Sequence, residues 1–158
     1  MKLSLDQLKG LAAQAGFTGD DINIAAAVAM AESGGDPNAY NTEGSYGLWQ
    51  VYLPAHPQYA NDPNALYTPS FNAQAAYSIW RAAGNSFNPW STYKYPCTGP
   101  NTSGPACYLQ FYTPSAPSSS KLTMGEKAAV AVGIVAAGTL AFLAFEEWKR
   151  PGSVLAWR

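Results

Sequence analysis

Glu32 is the residue of this sequence whose surroundings most favour acid–base chemistry. No charged residue occurs between Asn23 and Ala31, and Gly34 then follows as a helix-ending residue. A carboxylate on the last turn of an apolar helix is disfavoured as an anion by its apolar surroundings and by the negative end of the helix dipole. Both effects raise the pKa of Glu32 and favour a protonated carboxyl that can act as a general acid. The alternative is an ordinary exposed glutamate at a frayed helix end.

Other ionisable residues follow Glu32 along the chain, and they have less support. Asp36 precedes Pro37, a pattern typical of a turn former. Glu43 lies in a loop, where a catalytic role stays open. His56 is expected to be a hydrogen-bonding residue of a loop, with a substrate contact as the alternative. Glu32 therefore remains the strongest candidate for acid–base chemistry.

Helical spacing of apolar residues predicts the elements that must position Glu32. Ser4 with Gln7 fits a capping box, and Thr18 with Asp21 marks a second helix start. The second helix is apolar on nearly every side, so it is expected to be the buried centre of the domain. No alternating pattern indicates strands, and the predicted fold class is mainly α with long loops. The predicted helices run from Ser4 to Ala15, from Thr18 to Ser33, and from Ser70 or Phe71 to about Ala83.

The composition excludes several classes of function. The chain has 158 residues, of which 47% are hydrophobic and 12% are charged, against about 25% charged in a typical domain. This balance excludes an intrinsically disordered chain. The net charge of −1 offers no basic surplus for nucleic acid. One histidine and two cysteines cannot by themselves form a tetrahedral zinc site, and no metal or cofactor is expected.

The C-terminal third carries a long uncharged run. Residues 128–145 are 18 consecutive uncharged residues, which as a helix span roughly 27 Å, close to the hydrocarbon core of a bilayer. Charged residues flank both ends, so the run predicts a single transmembrane helix; a buried core helix is the alternative. Pro and Ser enrichment before it predicts a linker. The predicted parts are a globular domain (1–112), a linker (113–122), the transmembrane helix with its flanks (123–150) and a tail (151–158).

Three motifs follow one another in an order that points to a family. The Glu32-Ser33 pair is followed by Gly-Leu-Trp-Gln at 47–50 and by Asn72 near the start of the third helix. With the Gly-Asn-Ser-Phe-Asn-Pro-Trp-Ser-Thr-Tyr run at 84–93, they resemble the lysozyme-like soluble lytic transglycosylase domain. That family has a Glu-Ser pair, a Gly-Leu-Met-Gln-Ile-type motif, and an Asn that opens the next helix. The resemblance covers roughly residues 5–95.

The resemblance implies a reaction for Glu32. The residue matches the family's single catalytic acid, which protonates the glycosidic oxygen between N-acetylmuramic acid and N-acetylglucosamine. It then acts as a base on the muramoyl C6 hydroxyl, which closes a 1,6-anhydro ring. The substrate supplies the nucleophile, so no second carboxylate is needed, unlike the usual two-carboxylate scheme.

The resemblance also implies a set of substrate-binding residues. Gly47 is expected to let backbone approach the sugar, and Asn72 to hold the loop and the cleft wall. Trp49 stands where the family often has Met, and its ring is expected to stack on a sugar face. The family's Ala-Tyr-Asn-Ala-Gly-type motif is missing, which leaves hydrolysis open as an alternative to anhydro-ring formation. The implied substrate-binding residues are Ser33, Gly47, Leu48, Trp49, Gln50 and Asn72.

The setting of the enzyme follows from the same resemblance. A cell-wall substrate implies an oxidising site, which favours a disulfide between Cys97 and Cys107 over two free thiols. The C-terminal anchor is similar to that of virion-associated transglycosylases of membrane-containing bacteriophages, where the enzyme opens the wall locally for genome entry. The expected partners are glycan strands, a viral or bacterial membrane, and virion proteins, without nucleic acid. The alternative is an inactive glycan-binding or structural protein of the same fold.

Overall fold

The computed structural model describes residues 1–100 and 103–115. Among these residues, none of the helices combines the length and the apolar character needed to cross a bilayer. The predicted membrane helix over 128–145 lies outside the described residues, as does the predicted linker beyond Ser115.

Four α-helices form the described part of the chain: α1 (Leu5–Ala15), α2 (Asp21–Ser33), α3 (Pro69–Ala82) and the short α4 (Ser91–Lys94). The capping box of α1 is confirmed, because Ser4 Oγ accepts from the Gln7 amide and Gln7 Oε1 accepts from the Ser4 amide. The start of α2 was predicted two residues too early. Its N-cap is Asp20, whose side chain makes no capping hydrogen bond.

Helix α2 is the centre of the domain, as its apolar sequence predicts. Residues 25–29 have no exposed surface, and α2 packs against α1 and against the 3-10 turn at Cys107–Gln110. Beside it, the ring of Phe17 lies 5.2 Å from that of Trp80 and 5.7 Å from that of Phe87. Burial of large apolar side chains stabilises the fold by about 1.5–3 kcal/mol each. The end of α2 that carries Glu32 therefore projects from a rigid core.

A small antiparallel sheet lies in the loop between α2 and α3. Its strands are β1 (Tyr40–Asn41), β2 (Ser45–Tyr46) and β3 (Val51–Tyr52), paired in the order β1-β2-β3. Strands of two residues are too short to show an alternating pattern, so the sequence did not predict them. The Asn41 side chain fixes the first turn, because its Oδ1 accepts from the amides of Glu43 and Ser45 at 3.1 and 3.0 Å.

The other predicted loops are built largely of 3-10 turns. These turns cover Leu53–Ala55, Pro57–Tyr59, Pro63–Tyr67 and Cys107–Gln110.

A disulfide joins Cys97 and Cys107 after α4, and the Cys107 amide donates to the carbonyl of Tyr95 at 2.8 Å. The compact unit that contains this disulfide extends to Ser115, three residues beyond the predicted domain end at 112.

Candidate active site

Glu32 lies on the last turn of α2 and is only partly exposed. Its Oε1 accepts a 2.7 Å hydrogen bond from the hydroxyl of Thr92 on α4. Gly34 ends the helix in the left-handed conformation, with φ of +61°. The carboxyl group is therefore held between the end of one helix and the start of another.

The carboxyl of Glu32 faces a cavity of about 290 Å³. One wall belongs to the small sheet and its turns, with Glu43, Gln50 and Tyr52; Trp90 and Ser91 line another part. The cavity therefore brings together Glu32 and Gln50, which the sequence assigned to the site. It also contains Glu43 and Tyr52, to which the sequence assigned no firm role.

Burial raises the pKa of Glu32 above its usual value, and hydrogen bonds from the hydroxyl and the amide of Thr92 partly oppose that shift. The direction agrees with the sequence analysis, in which apolar surroundings disfavour the anion. A glutamic acid that keeps its proton to higher pH is suited to donate that proton to a leaving oxygen.

Gln50 reaches the cavity from a strained backbone position, with φ of +45°. Its side-chain nitrogen donates to the carbonyls of Ala39 and Gly47, at 3.2 and 2.9 Å. Those two bonds use both of its N–H groups, so its Oε1 is the atom left to accept from a ligand hydroxyl or amide. The side chain is held in place before any ligand arrives.

Trp49 and Leu48 do not take the sugar-binding places expected for them, because both are fully buried. The Trp49 indole donates to the carbonyl of Ala25 on α2 at 2.9 Å. Its own carbonyl accepts from the indole of Trp90 at 2.8 Å. Trp49 therefore joins α2 to the start of α4. The aromatic ring available for stacking on this wall is Tyr52, which is 42% exposed.

Gly47 and Asn72 serve the framework instead of the substrate surface. Asn72 has no exposed surface; its Oδ1 accepts from the Trp49 amide at 2.9 Å, and its Nδ2 donates to the carbonyls of Tyr46 and Leu66. A Cβ on Gly47, where φ is +72°, would overlap the backbone carbonyl oxygen of Leu66 and Nδ2 of Asn72. The glycine is therefore required by the close approach of both residues. The Asn72 side chain holds the loop and, having no exposed surface, offers none to a sugar.

Ser33 bonds within its own helix end. Its hydroxyl donates to the carbonyl of Ala29 at 2.9 Å and accepts from the amide of Gly35 at 3.2 Å. It therefore stabilises the end of α2 that presents Glu32. The hydroxyl beside the acid belongs to Thr92, and no local pattern in the sequence signals that contact across 60 positions.

Buried aromatic side chains position Thr92. Trp90 directly precedes α4, and its indole bond to the Trp49 carbonyl fixes where the helix begins. The ring of Phe87 lies 6.0 Å from that of Trp90 and 5.6 Å from that of Tyr93. Thr92 thus lies between two anchored aromatic residues, so its hydroxyl has a defined position relative to α2.

Comparison with known proteins gives one match. Residues 9–92 match the family described as the lysozyme-like domain. The match contains Glu32, the small sheet, α3 and Thr92, and it ends before the disulfide-bonded segment. Neither the curated proteins nor the solved structures contain a match to this chain. The chain belongs to the lysozyme-like domain family, and membership of this family makes it a peptidoglycan-cleaving enzyme in general terms.

Proposed function

We propose that the chain is a lytic transglycosylase that cleaves the β-1,4 bond between N-acetylmuramic acid and N-acetylglucosamine with Glu32 as its catalytic residue. The observation that carries the proposal is the Glu32 carboxyl, with its raised pKa, at a cavity whose other walls offer Gln50 and Tyr52. Amide and hydroxyl groups with one exposed ring suit a neutral, N-acetylated sugar.

The proposed reaction uses Glu32 twice. Its carboxyl proton passes to the glycosidic oxygen as the bond from that oxygen to the muramoyl C1 breaks. The resulting carboxylate then takes the proton of the muramoyl C6 hydroxyl as that oxygen bonds to C1. Glu32 returns to its protonated form, and the product carries a 1,6-anhydro ring. Thr92 is the positioning residue, because its hydroxyl holds Oε1 of Glu32.

Mass spectrometry of the muropeptides released from purified sacculi tests this proposal. Anhydro-muropeptides are expected from the parent chain and none from Glu32→Gln, because an amide cannot donate the proton. Asp36→Asn is the matched control, since Asp36 Oδ1 accepts a turn bond from the Asn38 amide that an amide oxygen can also accept. Equal release by the parent and Glu32→Gln would refute the assignment of Glu32.

A lysozyme-type hydrolase is the second candidate, and the position of Glu43 favours it. Its side chain lines the same cavity as Glu32. In glycosidases with two carboxylates, the second one either activates the attacking water or acts as the nucleophile. Under this alternative the products have reducing ends, and Glu43→Gln lowers the rate by about 10²–10⁴-fold. Under the transglycosylase proposal, Glu43→Gln keeps most of the activity and the anhydro product.

The membrane setting is a further part of the proposal. The 18 uncharged residues over 128–145 support a C-terminal anchor, in a viral membrane or a bacterial envelope, that holds the domain near the wall for local opening. Partition of the full chain into detergent micelles, compared with a Val135→Arg variant, tests the anchor. A charge at the centre of a membrane helix costs about 2.5–3.5 kcal/mol, so the variant is expected to partition less. Equal partitioning would contradict the anchor.

A further inference from the structure

A second cavity, of about 440 Å³, adjoins the first. The two are neighbours at α4, because Ser91 lines both of them. Ala31, which precedes Glu32 on α2, lines the second cavity, and so does Thr92. The second cavity therefore lies next to the place where the scissile bond of a glycan strand would meet Glu32.

The far wall of the second cavity comes from the segment between Tyr95 and Phe111, which lies beyond the residues that match the family. The wall is fixed in three ways. The Cys97–Cys107 disulfide closes it, the Cys107 amide bonds the Tyr95 carbonyl at 2.8 Å, and the rings of Tyr93 and Tyr108 lie 4.8 Å apart. The cavity is therefore formed before a ligand arrives.

The chemistry of the lining selects a neutral ligand with apolar faces. Within the described part of the chain, no charged side chain lines this cavity. Its surface is made of proline and aromatic rings, including Pro96, Phe111 and the 37% exposed Tyr95, together with the hydroxyls of Ser91 and Thr92. Such a lining suits the C–H face and acetamido methyl of an N-acetylated sugar, and its size is that of a small-molecule site. The carboxylates of a stem peptide would find no counter-charge there.

We propose that this second cavity, which shares Ser91 with the first and includes no residue of the small sheet in its lining, is a saccharide subsite that binds an N-acetylated sugar of the same strand. The proposal rests on the proposed function, because it requires a glycan strand at Glu32. It assigns the disulfide-bonded segment a role in substrate length preference.

Saccharide binding by the full chain tests the subsite. The Glu32→Gln variant allows calorimetric titration with uncharged oligosaccharides of β-1,4-linked N-acetylglucosamine, as a disaccharide and as a hexasaccharide. The hexasaccharide is expected to bind more tightly. Adding Tyr95→Ala or Phe111→Ala is expected to weaken hexasaccharide binding by about five- to tenfold and to reduce the advantage of length.

Leu109→Ala is the matched control, because Leu109 is exposed on the same segment between Tyr95 and Phe111 and does not line the cavity. Its hexasaccharide affinity is expected to equal that of the Glu32→Gln parent. Two variants are used so that poor folding of one, seen in its melting curve, leaves the other as the test. If both bind the hexasaccharide like the control, the subsite is wrong while the proposed function stands. If the Glu32→Gln variant binds neither saccharide, and the unsubstituted chain releases no muropeptides, the proposed function itself fails.

Discussion

The hydroxyl of Thr92 donates to Oε1 of Glu32 at 2.7 Å across 60 positions of the chain. The bond joins the two helices that border the cavity, and it favours the ionised form of the carboxyl that it contacts. Burial acts in the opposite direction and is the larger effect. The pH at which Glu32 loses its proton is therefore set by a balance that one substitution can change.

Removal of the Thr92 hydroxyl is expected to move the pH profile of the enzyme. Thr92→Val deletes a hydrogen bond that lowers the pKa of Glu32, so the pKa rises further. The general acid then stays protonated to higher pH, and the alkaline limb of the kcat/KM profile moves upward. Rates of muropeptide release across pH measure the shift. Thr92→Ser retains the hydroxyl and is expected to keep the parent profile; an unmoved limb in Thr92→Val would contradict the positioning role.

Glu32→Gln is expected to separate activity from stability. Its activity should fall by at least about 10²-fold, the lower range for loss of a general acid. Its stability should rise at neutral pH, because burial raises the folded pKa of Glu32 above the unfolded value. The contribution of the protonated acid is complete below the unfolded pKa of about 4.3 and is lost as pH rises through the folded pKa. The amide oxygen of glutamine can still accept from Thr92.

Chemical denaturation of both chains at pH 7 and pH 4 measures this effect. The gain in unfolding free energy of Glu32→Gln is expected at pH 7 and should shrink towards pH 4. Glu43→Gln is the control for loss of a carboxylate on an exposed residue of the same cavity, and its change is expected within about 0.5 kcal/mol. A Glu32→Gln chain that is less stable than the parent at pH 7 would contradict the unfavourable burial of the ionised carboxyl.

Asn72 is predicted to matter for folding more than for sugar contact. Asn72→Ala leaves three backbone groups without their hydrogen-bond partner: the Trp49 amide and the carbonyls of Tyr46 and Leu66. A buried group left without its partner costs about 1–3 kcal/mol. Two of the three bonds are buried, so a loss of about 2–6 kcal/mol is expected. Urea denaturation measures it, with the exposed Gln74→Ala on the same helix as the control. A change under about 1 kcal/mol would show that Asn72 is not essential to the framework.

The sequence predicted the helices better than the loops, for a physical reason. Periodic apolar spacing and the Ser4–Gln7 capping box are local signals, and α1 and α3 lie within about two residues of their predicted bounds. Helix α2 begins after Asp20 instead of after Thr18 because the backbone of Gly19 is left-handed, with φ of +57°, and a right-handed helix cannot include it. The Asp20 side chain instead accepts from Tyr112 and Ser115. Such long-range bonds leave no periodic signal, and two-residue strands are too short to show one.

The candidate site was predictable only in part, because motif residues can serve either the cleft or the framework. Glu32 and Gln50, which the resemblance assigns to the site, line one cavity. Trp49 and Asn72 belong to the same motifs, yet they are buried and join elements of the core. Whether a motif residue is buried depends on parts of the chain that are distant in sequence. The contact between Thr92 and Glu32 also joins distant parts of the chain, so neither that contact nor the framework roles of Trp49 and Asn72 could be predicted from local patterns.

The start of the predicted linker is fastened to the domain, which leads to the last prediction. Tyr112 donates its hydroxyl proton to Asp20, and the Ser115 amide donates to Asp20 at 3.1 Å. Asn23 donates to the Ser115 hydroxyl at 2.7 Å, and Lys9 donates to the Thr113 hydroxyl at 3.1 Å. A chain that ends at Ser115 is therefore expected to melt at a higher temperature than one that ends at Tyr112.

The Asp20–Tyr112 bond also gives this stabilisation a pH dependence. The Tyr112 hydroxyl lowers the pKa of Asp20, so the contribution of Asp20 is present above its unfolded value of about 3.9 and is lost as pH falls through the folded pKa. The same bond raises the pKa of Tyr112 to about 12, so its contribution is lost as pH rises from about 10 towards 12. Tyr112→Phe keeps the ring and deletes the hydroxyl, and is expected to remove much of the alkaline loss. Melting curves of the chain ending at Ser115, with and without Tyr112→Phe, at pH 7 and pH 11 measure the difference; parallel behaviour at both pH values would contradict the assignment of this bond.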